Sequence, residues 1–285
     1  MQWPDLLDRP LPAPDRTIKV GPAETNLVDI WLPEGAGPHP TVLIIHGGCW
    51  QKAIADRTIM SYAAAALRDE GMAVWNIEYR GVDEDGGGHP GTFRDVALAI
   101  DALAERGPGL GLETSKVVAY GHSAGGHLAL WAAARHRLPE DSPLHRSAPL
   151  SIDGVINSGG LADLEASAPV TNESCLGDIM DKLTGAPSPG RPNVFSDTSP
   201  AELLPTGAAQ ASVNGSEDRI APPLLGRGWT KAAEAAGDMA SFIEIPASGH
   251  VELIAPGTEA FSAQAAILKK WLDLERSPGP GPGAD

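Results

Sequence analysis

Cysteine, positive charge, long apolar runs and a basic leader are all scarce or missing in this 285-residue chain. Its two cysteines, Cys49 and Cys175, lie far apart and in no metal-type spacing, which argues against a zinc site. The simplest reading is a cytoplasmic protein with both thiols reduced, a single disulfide being the alternative left open. Lysine and arginine number 21 against 37 aspartates and glutamates, a net charge of −16. Such an acidic surface repels phosphate backbones, so nucleic acid and anionic membranes are poor partners. No apolar run reaches the length of a membrane span. The segment Met1-Gln2-Trp3-Pro4-Asp5 has neither the basic region nor the apolar core of a secretory leader. No motif implies a metal or an organic cofactor.

What is present is a chain that is 42 % hydrophobic, long enough to bury one large core. Residues 1–16, rich in Pro and Asp, read as an arm laid over the body or left loose. Residues 17–275 read as a single α/β domain, and the Pro/Gly-rich 276–285 as a disordered tail. Short β-branched runs predict strands at 17–20, 27–32, 41–45, 73–79, 116–120, 152–157, 209–213 and 241–245. The run Thr41-Val42-Leu43-Ile44-Ile45 is apolar without alternation, as expected of a central strand covered on both faces. Helical spacing falls between the strands, at 57–70, from Thr92, from the serine turn to about Arg137, at 224–236 and at 258–275. Thr92 with Asp95 three residues on has the capping-box pattern. Residues 161–207 are Pro-rich and only patchily helical, about 175–184, a lid-like excursion over a pocket. Alternating strands and helices imply a mostly parallel sheet of about seven or eight strands with helices on both faces. Chemistry in such sheets gathers at the carboxyl ends of the strands.

One stretch organises the chain: Tyr120-Gly121-His122-Ser123-Ala124-Gly125-Gly126. A buried strand ends at a glycine, one hydroxyl follows among small residues, and a helix begins, the pattern of a nucleophile elbow. A serine needs a neighbouring base, itself oriented by a third group. Among the histidines, His250 follows the last strand and everything else, in Ser248-Gly249-His250-Val251. His122 and His127 flank the serine on its own turn, and His46 reads as a structural hydrogen-bonder. The acid should end the preceding strand, where Glu217 and Asp218 both stand; Asp218 is favoured for its Gly-Ser-x-Asp turn, and Asp163 is the outsider. His46-Gly47-Gly48-Cys49-Trp50 follows an early central strand, where such folds place an oxyanion-binding amide.

These residues resemble the α/β-hydrolase superfamily, and within it the esterase/kynurenine formamidase branch. His46-Gly47-Gly48-Cys49-Trp50-Gln51, Gly121-His122-Ser123-Ala124-Gly125-Gly126-His127-Leu128, Asp218 and Gly249-His250 carry the resemblance, whose pattern covers about 25–273. It implies an α/β-hydrolase fold, with Ser123 as nucleophile, His250 as base and Asp218 as its orienter. Amides of Gly48, Cys49 and Ala124 would line the oxyanion hole, with Gly47 as a substitute. Trp50 and His122 are expected to contact substrate. Cys49, where formamidases of this group often have tyrosine, is expected to act through its amide alone, its side chain mattering little. The implied activity is a serine hydrolase of small carboxylic esters; an arylformamidase acting on N-formylkynurenine is the runner-up. A hydrolase-fold binder without turnover is the reading from another class. Expected partners are a small-molecule ester or formamide, and a second copy of the chain, since exposed helices and edge strands commonly support dimers in this fold.

Overall fold

A computed structural model describes residues 1–274, so the expected tail at 276–285 lies outside the described residues. Eight strands form one sheet: β1 Arg16–Lys19, β2 Leu27–Trp31, β3 His39–Ile45, β4 Ala73–Ile77, β5 Leu112–His122, β6 Gly154–Ser158, β7 Ala209–Gly215 and β8 Ala240–Ile245. Their spatial order is β1-β2-β4-β3-β5-β6-β7-β8. The pairs β1–β2 and β2–β4 are antiparallel, and every pairing from β4 across to β8 is parallel. All eight expected strands are present. The helices are α1 Trp3–Leu7, α2 Ser61–Asp69, α3 Gly91–Arg106, α4 Ala124–Ala133, α5 Leu164–Thr171, α6 Met180–Thr184, α7 Pro223–Ala236 and α8 Glu259–Trp271. None of them is long and apolar enough to cross a membrane.

Each central strand divides its side chains between two cores, because successive residues of a strand point to opposite faces. Leu43 and Ile45 of β3, Trp75 of β4 and Ala119 of β5 face Phe93, Val96 and Ile100 of α3 and Leu128 and Trp131 of α4. Val42, Ile44, Val74 and Val118 face the other way, onto α2 and onto Phe261, Ala265 and Leu268 of α8. The unbroken apolar runs are thus explained by helices on both sides. The N-terminal arm belongs to the second core. Leu6 of α1 is fully buried there, and Tyr62 donates its hydroxyl to the carbonyls of Leu7 and Arg9.

Three expectations need correction. Cys49 and Cys175 are not free thiols but a disulfide, which removes the ground for placing the chain in the cytoplasm. Thr92 does not cap α3, which starts at Gly91 with Pro90 before it. Its hydroxyl instead donates to the Arg80 carbonyl at 2.5 Å and accepts from the Gly88 amide, while Asp95 is taken by the Arg80 guanidinium and the Asn26 amide. Tertiary partners outbid the local box. The excursion, finally, is more ordered than its composition suggests. It carries α5, a π-helical turn at Asn172–Leu176 and α6, and sends Leu164, Leu176, Ile179 and Leu183 into the first core. The Gly86–Gly91 loop packs on it, the His89 amide donating to the Lys182 carbonyl.

Candidate active site

Strand β5 and helix α4 meet at Ser123, which sits at φ 55°, ψ −121°. A serine avoids that region of backbone space, and holding it there costs about 1–3 kcal/mol, so the neighbours must enforce it. They do. A Cβ on Gly121 would lie 2.2 Å from the Gly125 carbonyl oxygen, and one on Gly125 would lie 2.0 Å from that of Ile45. Only glycine lets the two backbones cross this closely. The Ser123 amide donates to the Ser158 carbonyl at the end of β6. At the first turn of α4 the Ala124 N–H has no intrahelical partner and lies at the positive end of the helix dipole.

His250 and Asp218 come from the loops after β8 and β7. His250 Nδ1 donates to Asp218 Oδ2 at 2.7 Å, and both residues are buried. With Nδ1 carrying the proton, Nε2 keeps a lone pair available to accept one. The other oxygen, Oδ1, accepts from the amides of Ile220 and Ala221, both at 2.9 Å, which fixes the carboxylate in the turn. Glu217 is exposed and holds only a backbone bond to Ser248, while Asp163 caps α5 through the Ala166 amide. Of the three acids weighed from sequence, Asp218 is the one on the histidine. Gly159 packs against this pair: a Cβ there would come within 3.1 Å of both Asp218 Oδ2 and His250 Cε1.

The glycine loop abuts Ser123, since a Cβ on Gly47 would lie 2.8 Å from Ser123 Cβ. Gly48, Cys49 and Trp50 all have positive φ, at 106°, 51° and 56°. That turn is secured from several directions. His46 Nδ1 lies 2.7 Å from the Gly47 carbonyl oxygen and Nε2 2.8 Å from Glu78 Oε1, and its ring stacks on Tyr79. Burial would raise the Glu78 carboxyl, but the adjacent His46 and Lys52 outweigh it and hold the group down at about 2. The Tyr79 hydroxyl donates to the His46 carbonyl at 3.0 Å.

Trp50 and His122, expected to touch substrate, are both buried and hydrogen-bonded within the protein. The Trp50 indole is fully enclosed and donates to His127 Nδ1, whose Nε2 donates in turn to the Thr198 carbonyl at 2.8 Å. Burial lowers His127 to about 4, which keeps one ring nitrogen free to accept. His122 is equally enclosed and donates from Nε2 to the His250 carbonyl at 3.2 Å. Burial first, then the His250 charge, pushes it well below the usual histidine value, so it acts as a neutral strut between elbow and base loop. Their partners lie far along the chain, at His127 and His250, and no local pattern announces them. Trp3 was missed altogether. Its ring stands edge-on to His122 and His250, 6.4 Å from each, and lines a cavity of about 630 Å³ with Asp218, Arg219, Ile220 and His250.

A mostly parallel eight-stranded sheet, helices on both faces, a strand–serine–helix elbow and an acid–histidine pair beyond the following strands define an α/β-hydrolase fold. The chain belongs to the BD-FAE family, whose family model matches residues 28–225. The narrower formamidase affinity read from the glycine loop is not what the comparisons return. No curated protein matches the chain significantly in sequence. Among solved structures, a truncated carbohydrate esterase from gut microbiota is 21 % identical, with TM-score 0.73, over 92 % of this chain and 98 % of the other. Esterase B from Lactobacillus Rhamnosis (HN001) is 19 % identical at TM-score 0.75, covering 93 % and 89 %. Propionate-bound Est2 from the Planctomycetes species Thermogutta terrifontis is 18 % identical at TM-score 0.71, covering 96 % and 99 %. At these identities the likeness speaks to fold.

Proposed function

We propose that this protein is a serine hydrolase of small carboxylic esters, working through an acyl-enzyme on Ser123, His250 and Asp218. The observation that carries the reading is the 2.7 Å Asp218–His250 bond, in a loop tied to the elbow through His122. The three solved structures described above as esterases support the same chemistry. The Ser123 oxygen attacks the ester carbonyl while His250 Nε2 takes its proton. The amides of Ala124 and of Gly48 or Cys49 receive the oxyanion, Gly47 being close enough to substitute. His250 then returns the proton to the departing alcohol, and the acyl group stays on Ser123 until an activated water releases it as the acid. Asp218 holds the imidazole in the tautomer this requires. The cavity beside Trp3, which Asp218 and His250 line, has a volume that suits a small molecule.

A fluorophosphonate probe should label Ser123, and Ser123→Ala should abolish both labelling and p-nitrophenyl acetate turnover in a protein of unchanged circular dichroism. Asp218→Asn should lower kcat roughly 10⁴-fold, on the precedent of other triads. Turnover surviving Ser123→Ala would sink the reading. N-formylkynurenine, assayed alongside p-nitrophenyl acetate and butyrate, separates an esterase from an arylformamidase by the ratio of kcat/KM values.

A further inference from the structure

The disulfide joins two parts of the molecule with different tasks. Cys49 lies in the glycine loop and Cys175 in the π-helical turn of the excursion, 126 residues later, their Cα atoms 5.1 Å apart and both side chains buried. We propose that Cys175 is a positioning residue for the oxyanion hole: through its bridge to Cys49 it holds the Gly48–Trp50 turn in its left-handed form. The inference rests on the serine-hydrolase reading above, because the amide it steadies is one of the oxyanion donors.

The loop is anchored on both sides of residue 49. Upstream, His46 is clamped to Glu78 and to the Gly47 carbonyl. Downstream, the Trp50 indole is bound to His127, the Trp50 carbonyl accepts from the Val82 amide at 2.7 Å, and Lys52 and Ala53 donate their amides to Asp83. Between these anchors lies a non-glycine residue at φ 51°, a conformation that persists only where its surroundings impose it. At that residue the side-chain tether is the bridge. Its far end is firm. Leu176, Ile179 and Leu183 lie in the same core as Trp50, so the Cys175 sulfur is fixed to the body of the protein. The excursion gains as well, since α5 contains Pro169 and α6 has five residues, little helix to hold the segment by itself.

Opening the bridge takes two electrons and two protons from a dithiol such as dithiothreitol. The two cysteines leave as thiols and the reagent as its cyclic disulfide. Oxidised glutathione reverses the change, each bond re-formed by thiol–disulfide exchange. A brace that only added global stability would leave turnover at 25 °C untouched. A brace on an oxyanion donor lowers kcat and spares KM, because the amide is needed by the transition state more than by the bound ester.

The test uses wild type purified in air without reductant, assayed with p-nitrophenyl acetate well below its melting temperature. Wild type should show no free thiol, turn over the ester, and on reduction expose two thiols while kcat falls about tenfold, short of the 10²–10³-fold loss of a deleted donor. KM should stay within about twofold, and oxidised glutathione should restore the rate. Cys175→Ser should have the lowered kcat from the outset and ignore reductant, with circular dichroism unchanged. Two free thiols in the air-purified protein, a kcat unmoved by reduction, or a loss confined to KM would each overturn the proposal. Oxidised wild type without any ester turnover would instead overturn the hydrolase reading, and this inference with it.

Discussion

The elbow and the glycine loop sit against each other, and both hold non-glycine residues at positive φ. They are held in different ways. At Ser123 the restraint is local: a long buried strand enters, a buried helix leaves, and Gly121 and Gly125 let the two backbones cross. At Cys49 and Trp50 the restraint is remote, coming from Glu78, Asp83, His127 and Cys175. Strain at Ser123 is carried by secondary structure, and strain at Cys49 and Trp50 by tertiary contacts. The elbow should therefore fail all at once, and the loop by degrees.

Gly125→Ala should have the largest effect. Its Cβ would stand 2.0 Å from the Ile45 carbonyl oxygen and 2.6 Å from that of His46, backbone atoms that cannot step aside. Insoluble protein, or activity at least about 100-fold below wild type, is expected. Gly48→Ala is the matching change in the loop. It carries the penalty of φ 106°, and its Cβ would meet the Ala55 Cβ at 2.9 Å and the Ala55 amide nitrogen at 3.1 Å, a smaller overlap than the one at Gly125. Folded protein with kcat down about tenfold should result. Equal damage from the two substitutions would erase the distinction.

The middle effect belongs to Glu78. It is nearly fully enclosed and accepts from His46, the Lys52 ammonium and the amides of Arg57 and Tyr79. Glu78→Gln removes the buried anion that His46, Lys52 and Arg57 face, and breaking a buried pair costs about 3–5 kcal/mol. The sign of its pH dependence follows from the carboxyl being held at about 2, below its usual 4.5. The folded state therefore binds this proton less readily than the unfolded state does. The stabilisation is fully present above about pH 4.5 and is lost as pH falls towards 2. Urea titrations of wild type and Glu78→Gln should differ most near neutrality and converge on acidification. A gap that widens towards pH 2 would show the carboxylate is not what holds His46.

How far the site could be read from sequence follows the same division. The elbow was legible because its strand, glycines and helix are neighbours in the chain, and each leaves a local mark. The eight strands were legible for the same reason, as runs of β-branched residues bounded by Gly and Pro. Asp218 could be favoured over Glu217 from its turn, but the 2.7 Å bond to His250 needed the fold. The supports of the glycine loop left no mark near it. Nothing within twenty residues of His46 names Glu78 as its partner, and nothing near Cys49 points to Cys175. Thr92 misled because its local pattern was sound, and the Arg80 carbonyl won the hydroxyl only once the chain was folded. Trp3 stayed hidden in an arm whose composition suggests no structure, although its ring reaches both His122 and His250.

The smallest effect should come from Tyr79→Phe, and it sharpens the comparison most finely. Tyr79 is fully buried, stacks on the His46 ring at 4.2 Å and donates its hydroxyl to the His46 carbonyl at 3.0 Å. Burial, and then the Glu78 charge, lift the phenol well above 10, so it remains a donor across the range in which the enzyme would be assayed. Phenylalanine keeps the stacking and removes one neutral hydrogen bond, worth about 1 kcal/mol. If the ion pair to Glu78 fixes His46, the loop should hardly notice: a fall of about 1 kcal/mol in unfolding free energy, with kcat within about threefold of wild type. A loss of kcat as large as that of Glu78→Gln would mean that the backbone at His46, rather than its ring, is what Gly47 and Gly48 inherit their position from. The support of the glycine loop would then start one bond nearer the sheet, and the loop would share more with the elbow than its contacts suggest.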